Sequence, residues 1–325
     1  MRRLLMTIAV LVGILSAGDP ALAQIKLPPE THNAALRYWM AFGDLQDAPA
    51  DQATQRLIED TVAGRAAWDE AKLGAIVDRN LQAIQEMQRA TKLPDCDWGL
   101  EYSRGARASI GQVARARALA RLNILYGMRM MAKGQTQDAV DAWLDGVRFA
   151  QDLAKGGPLI FTLVARATLL DDFRAVTASV RAGKLQPEQK AGIAKSVQAL
   201  PPDVFDWSAA LGLEEANLEI VVKDLRQSRN PTAAYQEFYG QPPPANFLLP
   251  PEKEVIAFRA VIMQAQAALR LPSTEARPRV EQLQQRIDQS SDALKVGVPS
   301  LTKINESRAE VEASRSNLLQ ALGAS

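Results

Sequence analysis

Histidine is nearly absent from this chain: His32 is the only one among 325 residues, and Cys96 is the only cysteine. A Ser-His-Asp triad, a Cys-His pair or a His-based zinc site would all have to recruit His32, which lies in an irregular lead-in. No H-E-x-x-H, phosphate-binding loop or dinucleotide fingerprint stands anywhere in the sequence. A lone cysteine has no internal partner, so the fold must be held by its core rather than by a disulfide. Aromatic residues make up 6% of the chain, and Ala, Leu, Gln and Arg abound, which favours helix over strand. Blocks of one charge sign are missing too. That argues against nucleic acid or an anionic membrane surface as partner.

What is present begins with a leader. Arg2 and Arg3 form a positive start, residues 4–17 an apolar run, and Ala21-Leu22-Ala23 a small-residue cleavage site before Gln24. The run is shorter than the roughly 20 residues that span a bilayer. Residues 1–23 therefore read as a signal peptide, and the destination as periplasmic or secreted, with no transmembrane segment after cleavage; the twin arginines leave the Tat route open beside the general secretory route, which the apolar run suits better. The chain holds 38 basic and 37 acidic residues, so losing Arg2, Arg3 and Asp19 leaves equal numbers of each sign.

The rest reads as all-α: antiparallel helical hairpins, tetratricopeptide-like or an irregular bundle. Apolar periodicity predicts helices over 33–45, 51–62, 67–91, 108–133, 136–155, 159–181, 187–200, 203–228, 252–271, 279–293 and 302–322. In the first of these, Ala35, Leu36, Trp39, Met40 and Phe42 form the stripe. The helix over 159–181 is the most apolar and is expected at the centre; the last two are more polar and are expected at the edge. Residues 241–251, QPPPANFLLPP, read as a proline-rich linker between a domain at 24–240 and C-terminal helices at 252–325 packed on it.

The most patterned stretch is 121–153, two helices joined at Lys133-Gly134-Gln135. It resembles a single tetratricopeptide repeat. Gly127 and Ala139 occupy the small positions, Trp143 the aromatic one, and Gly146 adds a small residue on the same face. Asn123 and Met130 replace the expected Trp and Tyr, and no second copy follows: Phe173 and Thr177 stand where a small residue and an aromatic are needed. The resemblance implies close helix crossing, and its family binds peptides. The loop Cys96-Asp97-Trp98-Gly99, with the arginine-studded helix after it, is also similar to exported all-α bacterial proteins without assigned activity.

Three groups invite a chemical reading. Asp95, Asp97 and Glu101, with Trp98 and Tyr102, would offer hard oxygen ligands to Ca²⁺. The calcium-loop pattern fails at Gly99 and Ala106, so a structured loop with Trp98 in the core and solvated acids is the preferred reading, with no metal and no cofactor expected. Asp171-Asp172 and Glu214-Glu215 are candidate carboxylate pairs for glycoside hydrolysis. Adjacent helical residues point about 100° apart, so one of each pair is expected to turn inward and be neutralised by Arg117, Arg121 or Arg166. Finally, Arg117 and Arg121, one turn apart, would grip a carboxylate or phosphate. These readings favour an exported, non-enzymatic module that binds a protein or peptide. A carboxylate-dependent hydrolase of envelope polysaccharide is the alternative.

Overall fold

The computed structural model describes residues 30–46, 51–108, 110–243, 247–290, 292–295 and 300–324; the signal-peptide reading of 1–23 lies outside them. Within the unit His32–Ser325 the architecture is all-α. The helices are α1 (Ala34–Asp44), α2 (Gln52–Val62), α3 (Glu70–Arg79), α4 (Leu81–Ala90), α5 (Gln112–Ala132), α6 (Thr136–Ala154) and α7 (Leu159–Arg181). They continue as α8 (Pro187–Gln198), α9 (Trp207–Gln227), α10 (Pro231–Tyr239), α11 (Glu252–Ala268), α12 (Ser273–Asp288) and α13 (Leu301–Leu322). A 3-10 segment, Tyr102–Arg107, precedes α5, and a single turn, Asp292–Lys295, precedes α13. Among the described residues there is no strand, only one isolated bridge between Asn33 and Asp95. None of their helices is long and apolar enough to cross a membrane.

Local chemistry sets the helix starts. Asn33, Asp51, Asp69, Asp206, Asn230 and Ser300 each accept a backbone N–H of the first turn, satisfying a donor that the helix itself leaves orphaned. Gly134, at φ +77°, makes the turn between α5 and α6. Asn80 splits the helix expected over 67–91. Its amide donates to Ile76 O at 2.9 Å and its oxygen accepts Gln46 N at 2.8 Å, so it serves a neighbouring segment at the break between α3 and α4. Asp203 is not the cap of α9, as the spacing suggested; Asp206 is. Asp203 instead meets Arg308 of α13 at 3.0 Å. Helix α12 begins six residues earlier than expected and carries Pro278 inside it.

Helices α5, α6 and α7 pack on one another and form the centre. On one side, α1 to α4 lie against α5; on the other, α13 runs along α7 and also touches α8 and α12. Although polar in sequence, α13 is no edge helix: Leu301, Ile304, Val311 and Leu318 are buried, and so is the aliphatic stem of Arg308. Its Arg308 donates to Asp203 and to Leu271 O, which supplies partners for a guanidinium that is 2% exposed. Helix α9 joins α7 to α10 and α11. At the end of the proline-rich stretch, Phe247 and Leu249 pack on Val221, Leu225 and Tyr235, while Arg226 donates to Pro250 O at 2.7 Å.

The hairpin's small residues divide their work. At Gly127 a methyl group would fall on the indole nitrogen of the buried Trp143, so α5 and α6 meet closely there. At Gly146 the methyl would fall on the carboxylate of Asp172, so this glycine makes room for α7 rather than for the hairpin partner. Ala139 is fully buried. Asn123, where the repeat pattern has Trp, ties the arms by donating to Ala142 O at 2.6 Å.

Candidate functional site

The loop that looked most site-like is organised by Asp152, near the end of α6. Asp152 is buried; its carboxylate accepts from Tyr38 OH at 2.8 Å and pairs with Arg148 at 3.2 Å. Its backbone oxygen accepts from Trp98 Nε1 at 2.8 Å, and the Cys96 thiol lies against the same oxygen. Trp98 stacks on Tyr38 and Phe42, with Trp39 meeting it edge-on. Burial raises the Asp152 carboxyl above its ordinary value, Arg148 and Tyr38 pulling it back. Burial likewise pushes the Cys96 thiol up to about 12, which leaves it protonated and unreactive.

The acids of the loop stay at the surface. Asp95, Asp97 and Glu101 are exposed. Asp97 accepts Gly99 N at 2.9 Å, Glu101 pairs with Arg104, and the Asp95 backbone forms the bridge to Asn33. Among the described residues no three His, Cys, Asp or Glu side chains gather so that they could hold a metal ion.

The carboxylate pairs separate. Asp172 is fully buried with no hydrogen-bond partner on either oxygen, and burial, then Asp171 and Asp145, hold its carboxyl well above the ordinary range. No arginine neutralises it: Arg166 turns to Glu310, and Arg174 pairs with Asp171. Arg117 and Arg121 act on Asp171 from further away. Glu215 pairs with Arg259 at 3.0 Å. Glu214 does something unrelated: its carboxylate accepts Leu159 N at 2.8 Å and so caps α7, whose preceding residue, Pro158, has no side chain to do it. Burial raises the Glu214 carboxyl, and the Leu159 N–H opposes that rise.

Beside that cap lies an apolar cleft of about 300 Å³. One wall is Leu100, Tyr102 and Ile110, another is Pro158 and Ile160 at the start of α7, and the floor is Leu213, Leu218 and Val221 of α9; Tyr239 closes one end. Tyr102 OH donates to Gly156 O at 2.5 Å, which fixes the first wall to the end of α6. Arg107 fixes it to the floor: it bonds Asp224, reaches Glu237 at 3.7 Å and lies over the Phe238 ring at 4.7 Å. Gly105, at φ +55°, lets the 3-10 backbone press against Ile220. Tyr102, Ile110 and Ile160 remain 47%, 46% and 41% exposed around the opening.

Sequence reasoning missed this cleft and the Asp152 centre. Two signals were available: a proline at the start of α7 that needs a cap from elsewhere, and Tyr102 and Ile110 placed in a loop with no helical stripe to bury them. Compared with known proteins, the chain matches no family model, no curated protein and no solved structure.

Proposed function

We propose that this chain is an exported, non-enzymatic helical protein of the cell envelope that binds a peptide or an exposed segment of another protein. The observation that carries the reading is the cleft beside α7, apolar on three sides, rimmed by exposed Tyr102, Ile110 and Ile160. Its one carboxylate, Glu214, is committed to capping α7. Magnitudes favour a chain over a lone small molecule. Burying one apolar side chain yields about 1.5–3 kcal/mol, whereas association costs about 4–15 kcal/mol. The occupant must therefore run beyond the cleft and use the rim. The hairpin of α5 and α6 is read as one tetratricopeptide-like unit, supported by the contact of Gly127 with Trp143; here it serves as the packing seed of the helical domain.

The hydrolase alternative needs two facing carboxylates about 5–10 Å apart in a space that substrate can enter. Asp172 is sealed against Gly146, and Glu214 and Glu215 serve different neighbours. Those placements weigh against it. Selection of displayed peptides on the purified chain is expected to enrich sequences with two or three apolar anchors, and Ile160→Glu should abolish their binding while helix content is retained. Enrichment no better than on an unrelated helical protein, or peptides that bind Ile160→Glu as well as the native chain, would overturn the proposal.

A further inference from the structure

A second cavity, of about 500 Å³, opens between α5 and the segments at the end of α1 and in α2. Its α5 wall has a regular construction. Ala114, Ala118, Leu122 and Leu125 recur at helical spacing and form an apolar stripe, with the two alanines leaving room above the backbone. Arg115 and Arg121 stand three residues to either side of Ala118, which puts them about 60° off the stripe on opposite flanks. Leu45 and Ile58 face them, and among the described residues no acidic side chain lines the space. Arg117, which the spacing paired with Arg121, falls outside this lining; both act at longer range on Asp171, which Arg174 pairs directly.

Both guanidinium groups are only partly engaged. Arg115 gives Nη1 to Phe42 O at 3.1 Å, and Arg121 reaches Glu59 at 3.7 Å, a loose ion pair whose acid is half exposed. Among the described residues these two positive charges meet one carboxylate at the rim, Glu59, while Asp171 lies further off and is already paired with Arg174, which leaves about one charge to be matched. The geometry points to a binding site for an amphipathic monoanion, a carboxylate head on an alkyl chain. The head lies between the Arg115 and Arg121 guanidinium groups, which present planar donors suited to a carboxylate. The alkyl chain lies on Ala114, Ala118 and Leu122. A cavity of this size, mostly apolar with a few convergent polar groups, has the build of a small-molecule site. The inference does not rest on the peptide cleft, because the two share no lining residue.

Calorimetric titration of the full chain with decanoate tests it, with decyltrimethylammonium and acetate as controls for charge and chain. One decanoate per chain is expected, with both controls weaker by about tenfold or more. Arg121→Gln should weaken decanoate by about tenfold. Ala118→Leu, which fills the stripe from the exposed side, should weaken it with unchanged circular dichroism. Ile160→Glu, at the other cleft, should leave it unaltered. No saturable binding by the native chain overturns the inference. So does equal binding of the cationic amphiphile, native affinity in both Arg121→Gln and Ala118→Leu, or loss of binding in Ile160→Glu.

Discussion

Asp172→Asn should change how the stability of this protein depends on pH. Asp172 is fully buried, neither carboxylate oxygen has a partner, and burial together with Asp171 and Asp145 holds its carboxyl well above the ordinary 3.8. In the folded chain the group therefore keeps a proton that the unfolded chain releases as pH rises past about 4. The native state binds more protons, so stability from this residue is present in acid and is lost as pH rises toward the folded value. One proton held by the native state alone gives a slope of about −1.4 kcal/mol per pH unit. Asparagine has nearly the same shape against Gly146 and no proton to lose. Its amide is as unpartnered there as the protonated carboxyl it replaces, so in acid the two chains should differ little. The stability of Asp172→Asn relative to the native chain should then climb with pH, at up to that slope until the pH reaches the folded value, while the other shifted acids cancel in the difference. Urea titrations from pH 4.5 to 8, followed by tryptophan fluorescence and extrapolated linearly, measure it. Two parallel curves across that range would mean that Asp172 is ionised in the folded protein, and the reasoning would fail.

A Gly127→Ala chain should lose roughly 1–3 kcal/mol, because the added methyl meets a buried indole that cannot swing away. Gly192→Ala in α8, with nothing near its new methyl, should instead gain about 0.5–1 kcal/mol; equal and stabilising effects at both sites in urea titrations would contradict the close crossing. Cys96, buried and raised to about 12, should react with an aromatic disulfide reagent at pH 8 only after unfolding in urea; fast reaction of the folded chain would show a thiol accessible from solvent. Terminal sequencing of the protein recovered from its host should begin at Gln24. Retention of Met1 would refute export by cleavage.

The sequence made the helical class legible because periodicity repeats over many turns, and one slipped residue barely alters the pattern. It placed α7 to the residue, since proline before and glycine after bracket a long apolar run. Where one side chain serves a distant partner, the local pattern misled. Of the stripe predicted in α1, Ala35 and Phe42 are buried, yet Leu36, Trp39 and Met40 are exposed and Tyr38 is inside, drawn there by its bond to Asp152. Asp203 had the spacing of a cap and was taken by Arg308, a residue 105 positions away. One of Asp171 and Asp172 was expected inside beside an arginine; Asp172 is the one inside, but Gly146 admits it to a place where no arginine bonds it. The apolar cleft was invisible for the same reason: its walls come from four separate stretches, none of them patterned by itself.

Hydrogen exchange of the chain with and without a selected apolar peptide tests the binding claim most directly. Bound peptide should slow exchange in residues 100–108, 158–163 and 213–221, which carry the walls and floor of the cleft, and leave the outer face of α2 and α3 unchanged. Protection confined to other elements, or none at all under saturating peptide, would contradict the assignment of this cleft.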